Sequence, residues 1–255
     1  MSVVATIAIA CTAALLAAGL HHLVQRRFGY DILARHNDVA GFLYSAIGVI
    51  FAVALGFVVV VVWQRYDQVR SDVDAEVAAV IDLDHDAQSF PPNFRRLVER
   101  QLTGYASVVV TREWPEMARG ELAVAGSPEL ERVAYEVQTF HPAGPMETDA
   151  HQLALLELKD IFDARRQRIR ATEPSMPPLL WFALDAGAIA TLGFTYLFGV
   201  KNHIAQLLMT GVLAALIAVM FVVIHALDSP FRGPSAIQPS GWQYFIDRAP
   251  AISSE

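Results

Sequence analysis

The chain carries a single cysteine, Cys11. One thiol excludes an internal disulfide and gives no thiolate metal site. Enzyme signatures are missing too: there is no glycine-rich phosphate loop after a strand, no nucleophile elbow and no paired-histidine metal motif. Nothing therefore calls for catalysis, a cofactor or a metal. A basic excess is also lacking, since the net charge is −7, which argues against nucleic acid as a partner. Internal repeats and low-complexity tracts are absent. The N-terminus lacks the basic start and cleavage site of a signal peptide, so its apolar run is read as a retained span, with Cys11 facing lipid or a neighbouring helix.

What the chain does contain is apolar sequence. Hydrophobic residues make up 54%, too many for an ordinary soluble domain, and they fall in four blocks. The first runs from Val3 to Val24 and ends at His21, His22, Arg26 and Arg27. The second, Val39 to Trp63, is about 25 residues without a charge, more than the ~20 a helix needs to cross a hydrocarbon core. The third and fourth are Leu179–Val200 and Ile204–Leu227, separated only by Lys201, Asn202 and His203 and so expected to pair as an antiparallel hairpin.

No proline interrupts the chain from Val39 to Gln88. The second span is therefore expected to leave the membrane as one rigid helix, started by Asp38 and stopped at Pro91-Pro92. Amphipathic spacing over Phe94, Leu97, Val98, Leu102, Tyr105 and Val109 predicts a second soluble helix that ends at Trp114-Pro115. Ser127-Pro128 opens a third, through Phe140. A fourth, Thr148 to Ala171, carries Leu153, Leu156, Ile161 and Ile169 and ends in Arg165, Arg166, Arg168 and Arg170. The tail from Asp228 is rich in proline, serine and glycine and reads as irregular, with Trp242, Tyr244 and Phe245 available to dock.

The fold class expected is thus all-α: four transmembrane helices with a helical soluble domain between spans 2 and 3, the second span continuous with that domain. The divisions are 1–63 for spans 1 and 2, 64–176 for the soluble domain, 177–228 for spans 3 and 4, and 229–255 for the tail. Four spans put both termini on the side of the soluble domain. Arg65, Arg70 and the Arg165–Arg170 cluster outnumber Arg26, Arg27, Arg35 and Lys201, so positive-inside counting makes that side cytosolic.

On the membrane part of the long helix, Gly41, Ser45, Gly48, Ala52 and Gly56 form a stripe of small residues that lets helices approach. The adjacent stripe, Val49, Val53 and Phe57, is bulky. It reads either as lipid contact or as a hydrophobic constriction formed when several copies surround an axis. Asp185 sits inside the third span, where a carboxylate is costly unless it faces protein or water. It either pairs with an arginine of the 165–170 cluster or lines an ion path. Asp82, His85 and Asp86 share one helical face and read as solvated acids rather than a metal site. In a ring of copies, Asp67, Asp74, Asp82 or Asp86 would make acidic rings, which favour cations.

Several segments resemble a known family. Leu55-Gly56-Phe57 running without a gap into Arg65-Tyr66 is similar to the second span of the bestrophins. The stretch FRRLVERQLTGYASVVV resembles the helix that follows it there, and Leu227-Asp228-Ser229-Pro230-Phe231-Arg232-Gly233 resembles the Asp-Pro-Phe-Gly element after their last span. The segments WQRYDQ, EWPEMARG and PPLLWF look closer still to a bacterial bestrophin-like family. The resemblance implies a homo-oligomeric ion channel, typically pentameric and anion-conducting, in a bacterial inner membrane, with the bilayer and inorganic ions as its other partners. It places the pore neck at Val49, Val53 and Phe57 and leaves Asp185, Arg65, Asp67 and Asp74 as ion-path or charged-ring residues. Ser229 and Arg232 break the Asp-Pro-Phe-Gly spelling. The acidic calcium-binding run of animal bestrophins is missing as well, so calcium gating is not implied. The competing reading is a non-conducting, membrane-anchored interaction or signalling protein.

Overall fold

The computed structural model describes residues 3–28 and 37–248. Arg35 and the last residues of the tail, 249–255, lie outside them. Every regular element among the described residues is helical: α1 (Val3–Phe28), α2 (Asn37–Asp86), α3 (Pro92–Val108), α4 (Trp114–Arg119), α5 (Ser127–Thr139), α6 (Pro145–Arg170), α7 (Pro178–Thr195), α8 (His203–Asp228) and α9 (Ser240–Arg248). Four of these, α1, α2, α7 and α8, are long and apolar enough to cross a membrane. The all-α fold with a second span that runs on without a break is therefore observed. At 1.5 Å per residue the 50 residues of α2 extend about 75 Å, against the ~30 Å of a hydrocarbon core.

The chain divides into two compact units, residues 1–65 with 175–228 and residues 66–174 with 229–255. In the first, Phe51, Val58 and Val62 of α2 pack with Leu184 and Ala188 of α7 and Ile217 and Ile224 of α8. Gly187 is needed there, because a Cβ on it would collide with the Phe51 ring. Helix α1 lies along α8. Gly211 faces Ala14 there, and a Cβ on it would stand 3.7 Å from that residue, in ordinary contact. At one end of that pair Gln25 donates to Gln206, Gln206 donates to the Phe198 carbonyl, and the His203 ring meets Gln25 Oε1 at 2.8 Å. Buried amides need partners, and here two spans supply them to each other. Asp228 Oδ1 accepts from Ser175 N, Ser175 Oγ and Met176 N at 3.0–3.1 Å, fastening the end of α8 to the chain entering α7.

The second unit gathers Val69, Val80 and Leu83 of α2, Leu102 and Tyr105 of α3, Leu130 and Val137 of α5, and Leu158 and Ile161 of α6 around one core. The tail completes it with Phe231, Ile237, Trp242 and Phe245.

Four sequence expectations are corrected. Trp114-Pro115 does not end its helix: a π turn over Val109–Glu113 leads into α4, which stops only at Gly120 with φ +77°. The wider turn leaves room for a ring that has no N–H to donate. The third span ends at Thr195, so the connection to α8 is Tyr196–Asn202, longer than the link expected between Val200 and Ile204. It is held by Asn37, whose Nδ2 donates to Gly199 O and whose Oδ1 accepts from Gly199 N, at 2.8 and 3.1 Å. The face α6 turns inward is Ala150, Ala154, Leu158, Ile161, Ala164, Arg165 and Arg168, while Leu153 and Leu156 are exposed. Finally, the tail is not all irregular: α9 is amphipathic, burying Trp242 and Phe245 and exposing Tyr244.

Candidate functional site

Helix α2 has one face turned into its own chain and one turned out. Ala40, Phe51, Val58 and Val62 are buried, at the eleven-, seven- and four-residue steps of one helical stripe. On the other side Val49, Val53 and Phe57 are 65%, 54% and 69% exposed. The described residues leave most of their surface uncovered. The small-residue stripe lies between these faces, and at Gly48 and Gly56 a Cβ would find no atom within 4 Å. Part of that stripe, Ser45, Gly48 and Ala52, borders an apolar groove of about 460 Å³ whose far walls are Thr191 of α7 and Leu213, Ile217 and Met220 of α8.

Further along the same helix, α2 is anchored by charge. Glu76 is fully buried. Its Oε2 accepts from Arg168 Nε at 2.6 Å and its Oε1 accepts from Arg168 Nη2 at 3.1 Å and from the Tyr105 hydroxyl at 2.5 Å. Arg168 Nη2 also donates to Glu113 Oε2 at 2.8 Å, and Arg165 pairs with Glu113 Oε1. The π turn brings Glu113 to this point, where its Oε1 also accepts from Gly126 N at 2.8 Å. Arg168 further stacks over the Trp114 ring, 5.6 Å from its centre. Burial pushes the Glu113 carboxyl up, but the Arg168 and Arg165 guanidiniums and the Gly126 N–H outweigh it and leave the group below its usual value. Burial alone would lower Arg168, yet Glu76 holds it well above its ordinary value. Tyr105 is raised by burial and by the Glu76 carboxylate, so it stays a donor. A buried bidentate pair of this kind fixes geometry more than it adds stability. Its effect is to clamp α2 against α3 and α6.

The other residues singled out from the sequence are spread along the chain. Arg65 is half-buried at the end of the membrane part of α2, and Asp67 and Asp74 are exposed on its continuation. Asp185 is exposed on α7 and has no hydrogen-bonding partner among the described residues. Of the arginines considered as its partners, Arg165 and Arg168 point into their own unit toward Glu113 and Glu76, and Arg166 pairs with Asp163. Among the described residues no three His, Cys, Asp or Glu side chains stand close enough to hold a metal ion. The clamp itself was not anticipated from the sequence. Its one visible signal was a glutamate in the middle of an apolar stripe, Val73, Glu76, Val80, Leu83.

Four membrane-length apolar helices, one of which runs far past what a bilayer needs, define a multi-pass α-helical membrane protein. The bestrophin-like domain family matches residues 11–242, and the chain belongs to that family. Its fold is similar to a crystal structure of a bacterial bestrophin homologue from Klebsiella pneumoniae, with a TM-score of 0.70 and 13% identity over 93% of this chain and 96% of the other. A single-residue variant of a Klebsiella pneumoniae bestrophin homologue gives 0.73 and 12% over 94% and 97%. A second such variant gives 0.71 and 13% over 96% and 98%. No curated protein sequence matches the chain.

Proposed function

We propose that this protein is an ion channel formed by several copies of the chain, with α2 of each copy around a shared axis and Val49, Val53 and Phe57 forming a hydrophobic neck. The observation that carries the reading is the bare outer face of α2. Three bulky apolar side chains at i, i+4 and i+8 are exposed on a helix whose opposite face is packed, and a ring of such stripes is a constriction that gates by dewetting. Membership in the bestrophin-like family supports the same reading. By that family likeness the assembly is a pentamer in a bacterial inner membrane with the soluble unit and both termini in the cytosol, and the permeant ions are anions. The exposed carboxylates Asp67 and Asp74 on the same helix set the opposite expectation for selectivity, since acidic rings favour cations. Asp185 and Arg65 are further candidates for the ion path.

The test is ion flux through liposomes containing the purified protein. The wild type is expected to pass current, and Phe57→Ala to raise conductance or abolish closure by removing the widest obstruction. The sign of the reversal potential in a salt gradient reports anion or cation selectivity. Absence of current under every ionic gradient, with insertion demonstrated, would overturn the channel reading. It would favour a membrane-anchored interaction protein.

A further inference from the structure

In the second unit Asp72 of α2 is only 7% exposed. Its Oδ1 accepts from Gln68 Nε2 at 2.9 Å, while Oδ2 is buried and has no partner among the described residues. Asp72 lines a groove of about 450 Å³ between α2 and α6, whose other polar walls are Asp82, Glu157, Asp160, Asp163 and Gln167. Burial and the neighbouring Asp82, Asp160 and Asp86 raise the Glu157 carboxyl. Asp160 and Asp163 are paired with Lys159 and Arg166 at the rim, which leaves Asp72, Asp82 and Glu157 without an ion pair among the described residues. Buried carboxylate oxygens normally have a donor, and none of the described residues supplies one here. A bare metal ion is the poorer fit. The carboxylates are strung along the groove, with Asp72 and Asp82 about 15 Å apart along α2, and among the described residues no three acidic side chains converge.

A suitable donor lies on the same helix. Arg70 is exposed, and no hydrogen bond or ion pair engages it among the described residues. Two residues apart on a helix are about 200° apart around it and ~3 Å apart along it. Val69, Val73 and Val80 mark the buried side of α2 here, and Arg70 and Asp72 lie on its two opposite flanks. One chain cannot bring them together. In a closed ring of copies, each turning its buried side outward, one flank of every α2 faces the other flank of the next copy.

We propose that Arg70 of one copy enters the acidic groove of the next and pairs with the Asp72 carboxylate, so that this pair closes the ring. The inference rests on the oligomeric reading above and adds to it the residues that join neighbouring copies. A planar guanidinium is suited to bidentate capture by carboxylates, here Asp72 with the acids along the groove.

The test uses the full chain in detergent, in a Cys11→Ser background, with Arg70→Cys and Asp72→Cys combined. Because the two side chains of one helix point apart, any disulfide between these positions joins two copies. Mild oxidation is expected to give a ladder of covalent multimers that stops at the subunit number native mass spectrometry gives for the wild type. Either cysteine alone is expected to give no ladder. Arg70→Asp, a change at an exposed position, is expected to break the assembly into smaller species, and adding Asp72→Arg to restore it. A wild type that is oligomeric while the double-cysteine chain forms no ladder would overturn the proposed pair and leave the oligomeric reading standing. A wild type that is monomeric would overturn both.

Discussion

Arg168 is the residue on which most of the buried charge depends, since it meets both Glu76 and Glu113 with no exposure to solvent. Removing one partner of a buried pair strands the other, at a cost of roughly 3–5 kcal/mol. Arg168→Met is therefore expected to destabilise the protein by that order, read as a shift of the chemical-denaturation midpoint followed by tryptophan fluorescence. Glu113 gives the acid limb. Its folded-state pKa is depressed, so its contribution is complete above the ordinary glutamate value of about 4.3 and is lost as pH falls through the folded value. Melting temperature is expected to fall on acidification below that range, and Glu113→Gln to start lower and show a flatter decline. Neither residue could be recognised as paired from sequence alone. The arginines near residue 168 read as a basic helix end, and only the fold shows that two of them turn inward because the π turn delivers a carboxylate to meet them.

At the scale of elements, α2 was the most legible part of the chain because its signals agree: no charge for about 25 residues, then no proline until the helix ends. Helix α6 was legible in extent and wrong in phase. The largest apolar residues, Leu153 and Leu156, were the natural choice for an inward face, but alanines let α6 approach its neighbours closely, and its arginines find buried carboxylates. Helix α9 was hidden by the prolines and glycines around it, although Trp242 and Phe245 are one turn apart on a single face. Close packing makes one glycine decisive within the membrane unit. Gly187→Val would drive a side chain into the Phe51 ring. Overpacking of this kind costs about 1–3 kcal/mol, so a lower melting temperature is expected in detergent. Gly48→Val serves as the control in the same measurement, because its Cβ would meet nothing within its own chain.

On the scale of the whole molecule, the segments that made the family recognisable turn out to touch one another. Tyr66 of WQRYDQ donates to Ser235 O at 2.7 Å, and Trp114 of EWPEMARG donates through Nε1 to Ile237 O at 3.0 Å and packs edge-on against Phe231. Gly120 of EWPEMARG lies beneath the Arg232 guanidinium, and its positive φ favours glycine. The motifs therefore hold the tail against the soluble unit, which explains why they are spelled so distinctively while lying far apart in the chain. The outer face of α2 was legible only as a stripe. Whether its bulky residues met the protein's own spans depended on the three-dimensional packing of α7 and α8, which spacing does not encode. The pairing of α1 with α8 was equally invisible, and it bears on how the protein is made. The surface on which Ala14 rests is Gly211, nearly two hundred residues downstream. At a synthesis rate of about 5–20 residues per second, the first helix waits in the bilayer for on the order of ten to forty seconds before its companion emerges. During that interval Gln25 has no amide to meet, and any factor that shelters a lone polar helix in the membrane would act then.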